Sequence, residues 1–268
     1  MLHSVIATIT ILLYCLSALL LARHVRGTLT MPPPPIFRQL ILLALVSHSA
    51  FLNVSLFKDQ LLHLNFFTVS PLIFFIIIAV LWAALHKRQA IENLLLTFLP
   101  LTAISIACAA WIPSSSTKTL TDPGLITHIV LSIIAYSLIT IAALQAAMLT
   151  IQEHTLKKHQ FHGIAKFFPP LQTMETLLFQ VLFIGFALLS IAIASGFVFL
   201  EDMFAQHLAH KTILSLVAWL IFAILTYGRL AKGWRGSTAA RLTIGGFIVL
   251  MLAYFGSKFV LEILLQRL

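Results

Sequence analysis

In the stretch GLITHIVLSIIAYSLIT, residues 124–140, four polar side chains interrupt an apolar run at every fourth position: His128, Ser132, Tyr136 and Thr140. A helix turns about 100° per residue, so positions four apart drift by only about 40° and form one slowly turning stripe. An ionisable group inside an apolar span is costly and by default faces other helices. Two readings of the stripe are open. Ser, Thr and His supply hydrogen bonds between membrane helices, or His128 ligates something at its end of the span, since a neutral imidazole is a ligand that iron accepts.

Two more histidines share this kind of setting. His210 opens LAHKTILSLVAWL, where Lys211, Ser215 and Trp219 again fall four apart. His48 lies in the middle of LALVSHSAFL. It reads as a buried imidazole held by its neighbouring serines, as a second metal ligand, or as part of an ion path. Lys258, in AYFGSKFV, lies about two turns from the end of the last apolar run. Lys211 could simply snorkel toward headgroups. Placed beside His128, however, His210, Lys211 and Lys258 would make a basic pocket for an anionic, apolar ligand. Haem fits that description, with an apolar ring, two propionates and an iron open to imidazole.

The elements that must position these residues are membrane spans. The chain has 268 residues, 60% hydrophobic and 9% charged, against about 25% charged in a soluble domain. Apolar runs fall at roughly 3–23, 39–57, 67–86, 91–111, 124–151, 173–200, 211–230 and 242–264, each near the span of about 20 residues that crosses a bilayer. The reading is therefore an all-α integral membrane protein, an eight-helix bundle forming a single domain over 1–268. The first run lacks the charged start and short core of a cleaved signal peptide and reads as a retained span.

Charge gives the direction. Twelve of the 17 Lys and Arg residues fall on one set of alternate loops and their adjoining helix ends, among them Arg23, Lys87, Lys157 and Arg235. The positive-inside rule makes that side cytoplasmic and puts both termini in the periplasm of a bacterial inner membrane. The net charge of +9 then reflects loops facing a membrane rather than a nucleic-acid surface, and no nucleic-acid partner is expected. The lipid bilayer is the first partner.

Absences narrow the chemistry. There is no GxxxxGK[ST] or GxGxxG loop, no CxxC pair and no CxxCH haem-attachment site; Cys15 and Cys108 lie singly in apolar runs. No carboxylate cluster sits in mid-span, which argues against a proton-driven carrier. His154, His159 and His162 have the spacing of a loop cluster but only Glu153 for an acidic companion, so they read as solvated residues.

The segments HIVLSIIAYSLITIAAL from His128, HKTILSLVAWLIFAILTYGR at 210–229 and GFIVLMLAYFGSKFVL at 246–261 resemble helices of the CcsA-type cytochrome c assembly proteins. GWRG at 233–236 and AYFGSK are similar to the YpjD/HemX-like inner-membrane branch of that superfamily. The resemblance implies haem handling at the periplasmic face, with other cytochrome c biogenesis proteins as partners and an assembly factor rather than a catalyst. His128 matches the first outward-facing haem-ligating histidine. His210 or His48 is the candidate second ligand, Lys211 and Lys258 the candidate propionate partners, and Tyr136 and Trp219 an apolar wall. The tryptophan-rich WWD loop of full synthases is missing, and Tyr227 stands where the seventh-span histidine is expected. Those departures point to the alternative, a membrane scaffold or regulator that has lost the haem site. A small-ion transport accessory with His48 on its path is the third reading.

Overall fold

A computed structural model of the chain describes residues 2–27, 35–58, 61–64, 66–85, 90–112, 118–157, 168–199 and 206–256. Among the described residues eight helices dominate: α1 Leu2–Gly27, α2 Pro35–Leu56, α3 Phe66–Ala84, α4 Ala90–Trp111, α5 Pro123–Lys157, α6 Leu171–Phe199, α7 Gln206–Lys232 and α8 Gly236–Met251. All eight contain a stretch long and apolar enough to cross a membrane. Hydrocarbon offers no partner to a backbone N–H or C=O, so long apolar runs satisfy those groups within a helix. Pro71 and Pro100 lie inside α3 and α4, as membrane helices allow where neighbouring groups take up the freed carbonyl.

The helices overrun the apolar windows where polar residues can continue the backbone ladder. α5 runs past residue 151 through Gln152, Glu153 and His154, and Lys157 Nζ bonds Glu153 Oε1 one turn back at 2.7 Å. α7 begins at Gln206 rather than at 211. α8 ends in a π-helical turn, Leu252–Gly256; the rest of the expected last span, with Lys258, lies outside the described residues. Short strands β1 Phe57–Lys58, β2 Leu61–Leu64 and β3 Lys118–Leu120 pair antiparallel in the order β1-β2-β3. Pieces this short leave no periodic signal in the sequence.

The chain forms two compact units, Met1–Thr121 and Asp122–Leu268. In the first, α1 packs on α2 and α4, and α3 packs on α2 and α4. Its core holds Tyr14, Ile41, Phe51, Ile77, Leu94 and Phe98. In the second, α5 packs on α6 and α8, and α7 packs on α6 and α8. Each unit is thus a four-helix ring in chain order, closed by its first and last helices.

The α5–α6 pair is the most extensive contact. Small residues make it so, because membrane helices associate by close packing rather than by expelling water. Ala135, Ala142 and Ala146 of α5 are fully buried. A Cβ on Gly185 of α6 would come within 3.0 Å of Ile139 and 3.3 Å of Leu138. Outward positions such as Leu12, Ile184 and Leu230 stay exposed, as a lipid-facing surface requires.

Candidate functional site

His128 sits in the second turn of α5, half-buried, with its ring turned toward α6. Its Nδ1 lies 2.9 Å from the carbonyl oxygen of Ala192 and 3.1 Å from Ser195 Oγ. A carbonyl only accepts, so Nδ1 carries the proton and donates. The proton location follows from the geometry, and it leaves the neutral ring with its lone pair on Nε2. Ser195 Oγ donates to the same Ala192 oxygen at 2.7 Å. The helix-bonding and ligand readings of His128 are therefore compatible: one ring nitrogen ties α5 to α6, and the other keeps the electron pair a metal needs.

The rest of the stripe behaves differently. Ser132 Oγ donates to the His128 carbonyl at 2.8 Å, and Thr140 Oγ1 to the Tyr136 carbonyl at 2.7 Å. Both hydroxyls are satisfied one turn back on their own helix. Tyr136 turns its ring to α8, with centroids 5.9 Å from Phe247 and 6.1 Å from Tyr254. Trp219 belongs to the α6–α7 seam. Its indole Nε1 donates to Ser190 Oγ at 2.8 Å, and its ring lies 5.8 Å from Phe186. Tyr136 and Trp219 thus line two different seams of the second unit. His210 and Lys211 open the apolar part of α7, His210 exposed and Lys211 half-buried.

His48 lies in the first unit and is completely buried. The expectation that its own serines hold it is not met. Ser47 Oγ pairs with Thr10 Oγ1 at 2.7 Å, and Ser49 Oγ donates to the Val46 carbonyl. The partner of His48 is Tyr14, whose hydroxyl lies 3.0 Å from Nδ1, while Phe51 and Phe75 crowd the ring. His48 Nε2 has no hydrogen-bond partner among the described residues.

Sequence reasoning missed two features. Ser195 and the Ala192 carbonyl lie more than 60 residues from His128, and a backbone acceptor carries no residue signature. At the opposite end of the second unit, Glu175 of α6 accepts from Arg229 at 2.8 Å and Arg235 at 3.2 Å. Arg229 also donates to the Trp234 carbonyl and lies 4.3 Å over the Phe179 ring. The cue was present: one acid near the start of α6, one arginine shortly before the GWRG turn and one within it. Gly233 in that turn has φ +63°, the left-handed region that suits glycine.

The protein-family description "Cytochrome C assembly protein" matches residues 37–265. The chain belongs to this family. It is 28% identical to the inner membrane protein YpjD of Escherichia coli over 225 residues, covering 83% of this chain and 85% of that one. It is 28% identical to the cytochrome c biogenesis protein CcsA of Guillardia theta over 152 residues, half of each chain. It is 29% identical to the CcsA of Chlamydomonas reinhardtii over 140 residues, 52% of this chain and 38% of that one. No solved structure matches it. With eight apolar spans and an inner-membrane relative, this family member is a multi-pass inner-membrane protein.

Among the family expectations, the position of Tyr227 is informative. Its side chain is 65% exposed on α7, directed away from the four-helix core. As for haem, the donor chemistry of His128 would suit a ligand to its iron. It is a neutral imidazole whose Nδ1–H is held by a carbonyl, the arrangement that orients ligating histidines in metal sites.

Proposed function

We propose that this family member binds haem at the end of the second unit that carries His128, on the periplasmic side, and handles it during cytochrome c assembly. The observation that carries the reading is the hydrogen bond from His128 Nδ1 to the Ala192 carbonyl, because it leaves Nε2 free to ligate. When bound, haem supplies an iron that accepts imidazole and two propionates that seek cations. His128 would hold the iron through Nε2. His210 is the candidate second ligand, and Lys211 and Lys258 the candidate propionate partners. The CcsA relatives carry the biogenesis name, and membership of their family supports the same role here, with other biogenesis proteins as partners.

The test is spectroscopic. Protein made with haem supplied is expected to purify with a Soret band, and His128→Ala is expected to shift that band or lose it. A band unchanged in the variant removes His128 from the site. A wild-type protein that takes up no haem removes the reading.

The outward-facing Tyr227 favours a second reading, a scaffold that retains the fold without the haem site. It predicts that His128→Ala cells still mature cytochrome c at the wild-type level.

A further inference from the structure

We infer that Ser195 is a positioning residue for His128, setting how strongly its imidazole donates electrons to a ligand on Nε2. The inference rests on the haem reading above and deepens it, since it assigns what controls the redox poise of that site.

The hydroxyl's choice of partner is the first observation. Most helix hydroxyls in this protein bond the carbonyl four residues back, as Thr10 does to Ile6, Ser17 to Leu13, Ser132 to His128 and Ser190 to Phe186. Ser195 instead takes the carbonyl three residues back, Ala192, at 2.7 Å. That is the same oxygen that accepts from His128 Nδ1 at 2.9 Å. A carbonyl oxygen has two lone pairs. Within α6 it also serves the helix ladder, so three donors converge on it.

The second observation is the closed triangle. His128 Nδ1 is 3.1 Å from Ser195 Oγ as well. The only proton arrangement without a repulsive contact has Nδ1–H pointing between the carbonyl and Oγ, with the hydroxyl proton on the carbonyl. The opposite arrangement, with the hydroxyl donating to a bare Nδ1, would set two lone pairs against each other at 2.9 Å. Ser195 therefore supports the Nδ1–H tautomer and at the same time draws electron density from the carbonyl that accepts it.

Hydrogen bonding to the ring nitrogen opposite a metal raises the basicity of the ligating nitrogen, and such bonds are a protein's lever on haem potential. The Ala192 oxygen is the nearer acceptor of Nδ1–H, at 2.9 Å against 3.1 Å for Ser195 Oγ, so removing the hydroxyl, whose proton that oxygen holds, strengthens the dominant acceptor by more than the lost contact weakens the pair. The imidazole becomes more electron-rich and favours Fe(III) over Fe(II). The couple concerned is one electron added to ferric haem to give ferrous haem, with dithionite as donor and ferricyanide as acceptor in the titration.

The experiment is redox potentiometry on purified, haem-loaded wild type, Ser195→Ala and Ser195→Thr. Ser195→Ala is expected to keep the haem stoichiometry and to shift the balance toward ferric haem by up to about tenfold, about 59 mV more negative for one electron. Ser195→Thr retains the hydroxyl and is expected to hold the wild-type potential. An unchanged or more positive potential in Ser195→Ala overturns the inference, as does a Thr variant that matches Ala. Failure of the haem reading is distinguishable, because it shows as absent haem in the wild type before any variant is made.

Discussion

A buried imidazole with one partner is a liability that single substitutions can expose. His48 has no exposed surface and makes its hydrogen bond through Nδ1 to Tyr14, with Nε2 unpartnered among the described residues. Tyr14→Phe would leave both ring nitrogens without a described partner in a buried seam. The expected loss is about 1–3 kcal/mol, the cost of an orphaned buried polar group. Replacing both residues together, Tyr14→Phe with His48→Leu, is expected to recover most of it, because an apolar pair leaves nothing unsatisfied. Thermal unfolding of the purified variants in detergent measures both; a double variant no more stable than Tyr14→Phe would show that the pair is not the source of the loss. At this scale the sequence was half legible. An imidazole in an apolar run announces itself, so His48 and His128 were found. Their partners were not, because Tyr14 reads as one more aromatic in a span and the Ala192 carbonyl has no side chain to read.

Helices in lipid gain little from apolar contact with each other, so the polar links between them carry disproportionate weight. Glu175 is such a link. It joins α6 to Arg229 at the end of α7 and Arg235 at the start of α8, and its side chain is only 12% exposed. Glu175→Gln leaves the half-buried Arg229 without its counter-charge and is expected to cost about 3 kcal/mol. Arg235→Ala removes the partner that is 62% exposed and is expected to cost under about 1 kcal/mol. Comparing the two by thermal unfolding separates a buried ion pair from a surface one; equal effects would contradict the assigned burial. The spans themselves were legible because apolar run length is a direct consequence of bilayer thickness. Their ends were not. Glu153–Lys157 and Gln206–Ala209 extend helices through polar residues, where hydropathy gives no signal. The three short strands escaped for a related reason, since none exceeds four residues.

Over the whole molecule, hydropathy counts crossings but does not say which helix neighbours which, so the closure of α1 on α4 and of α5 on α8 was beyond the sequence. Orientation is where sequence and function meet. Twelve of the 17 basic residues fall on one set of alternate loops and their adjoining helix ends in the sequence. If the positive-inside rule holds, Thr121, just before α5, faces the periplasm, and Lys232, at the end of α7, faces the cytoplasm. Both positions are exposed. In a background with Cys15 and Cys108 replaced, Thr121→Cys is expected to react with a membrane-impermeant maleimide in intact spheroplasts. Lys232→Cys is expected to react only after the membrane is opened. His128 follows Thr121 by seven residues and sits in the second turn of α5, so the same labelling assigns its side. The reverse pattern would put that imidazole at the cytoplasmic face, and a haem held there would be on the wrong side of the membrane for delivery to an apocytochrome in the periplasm.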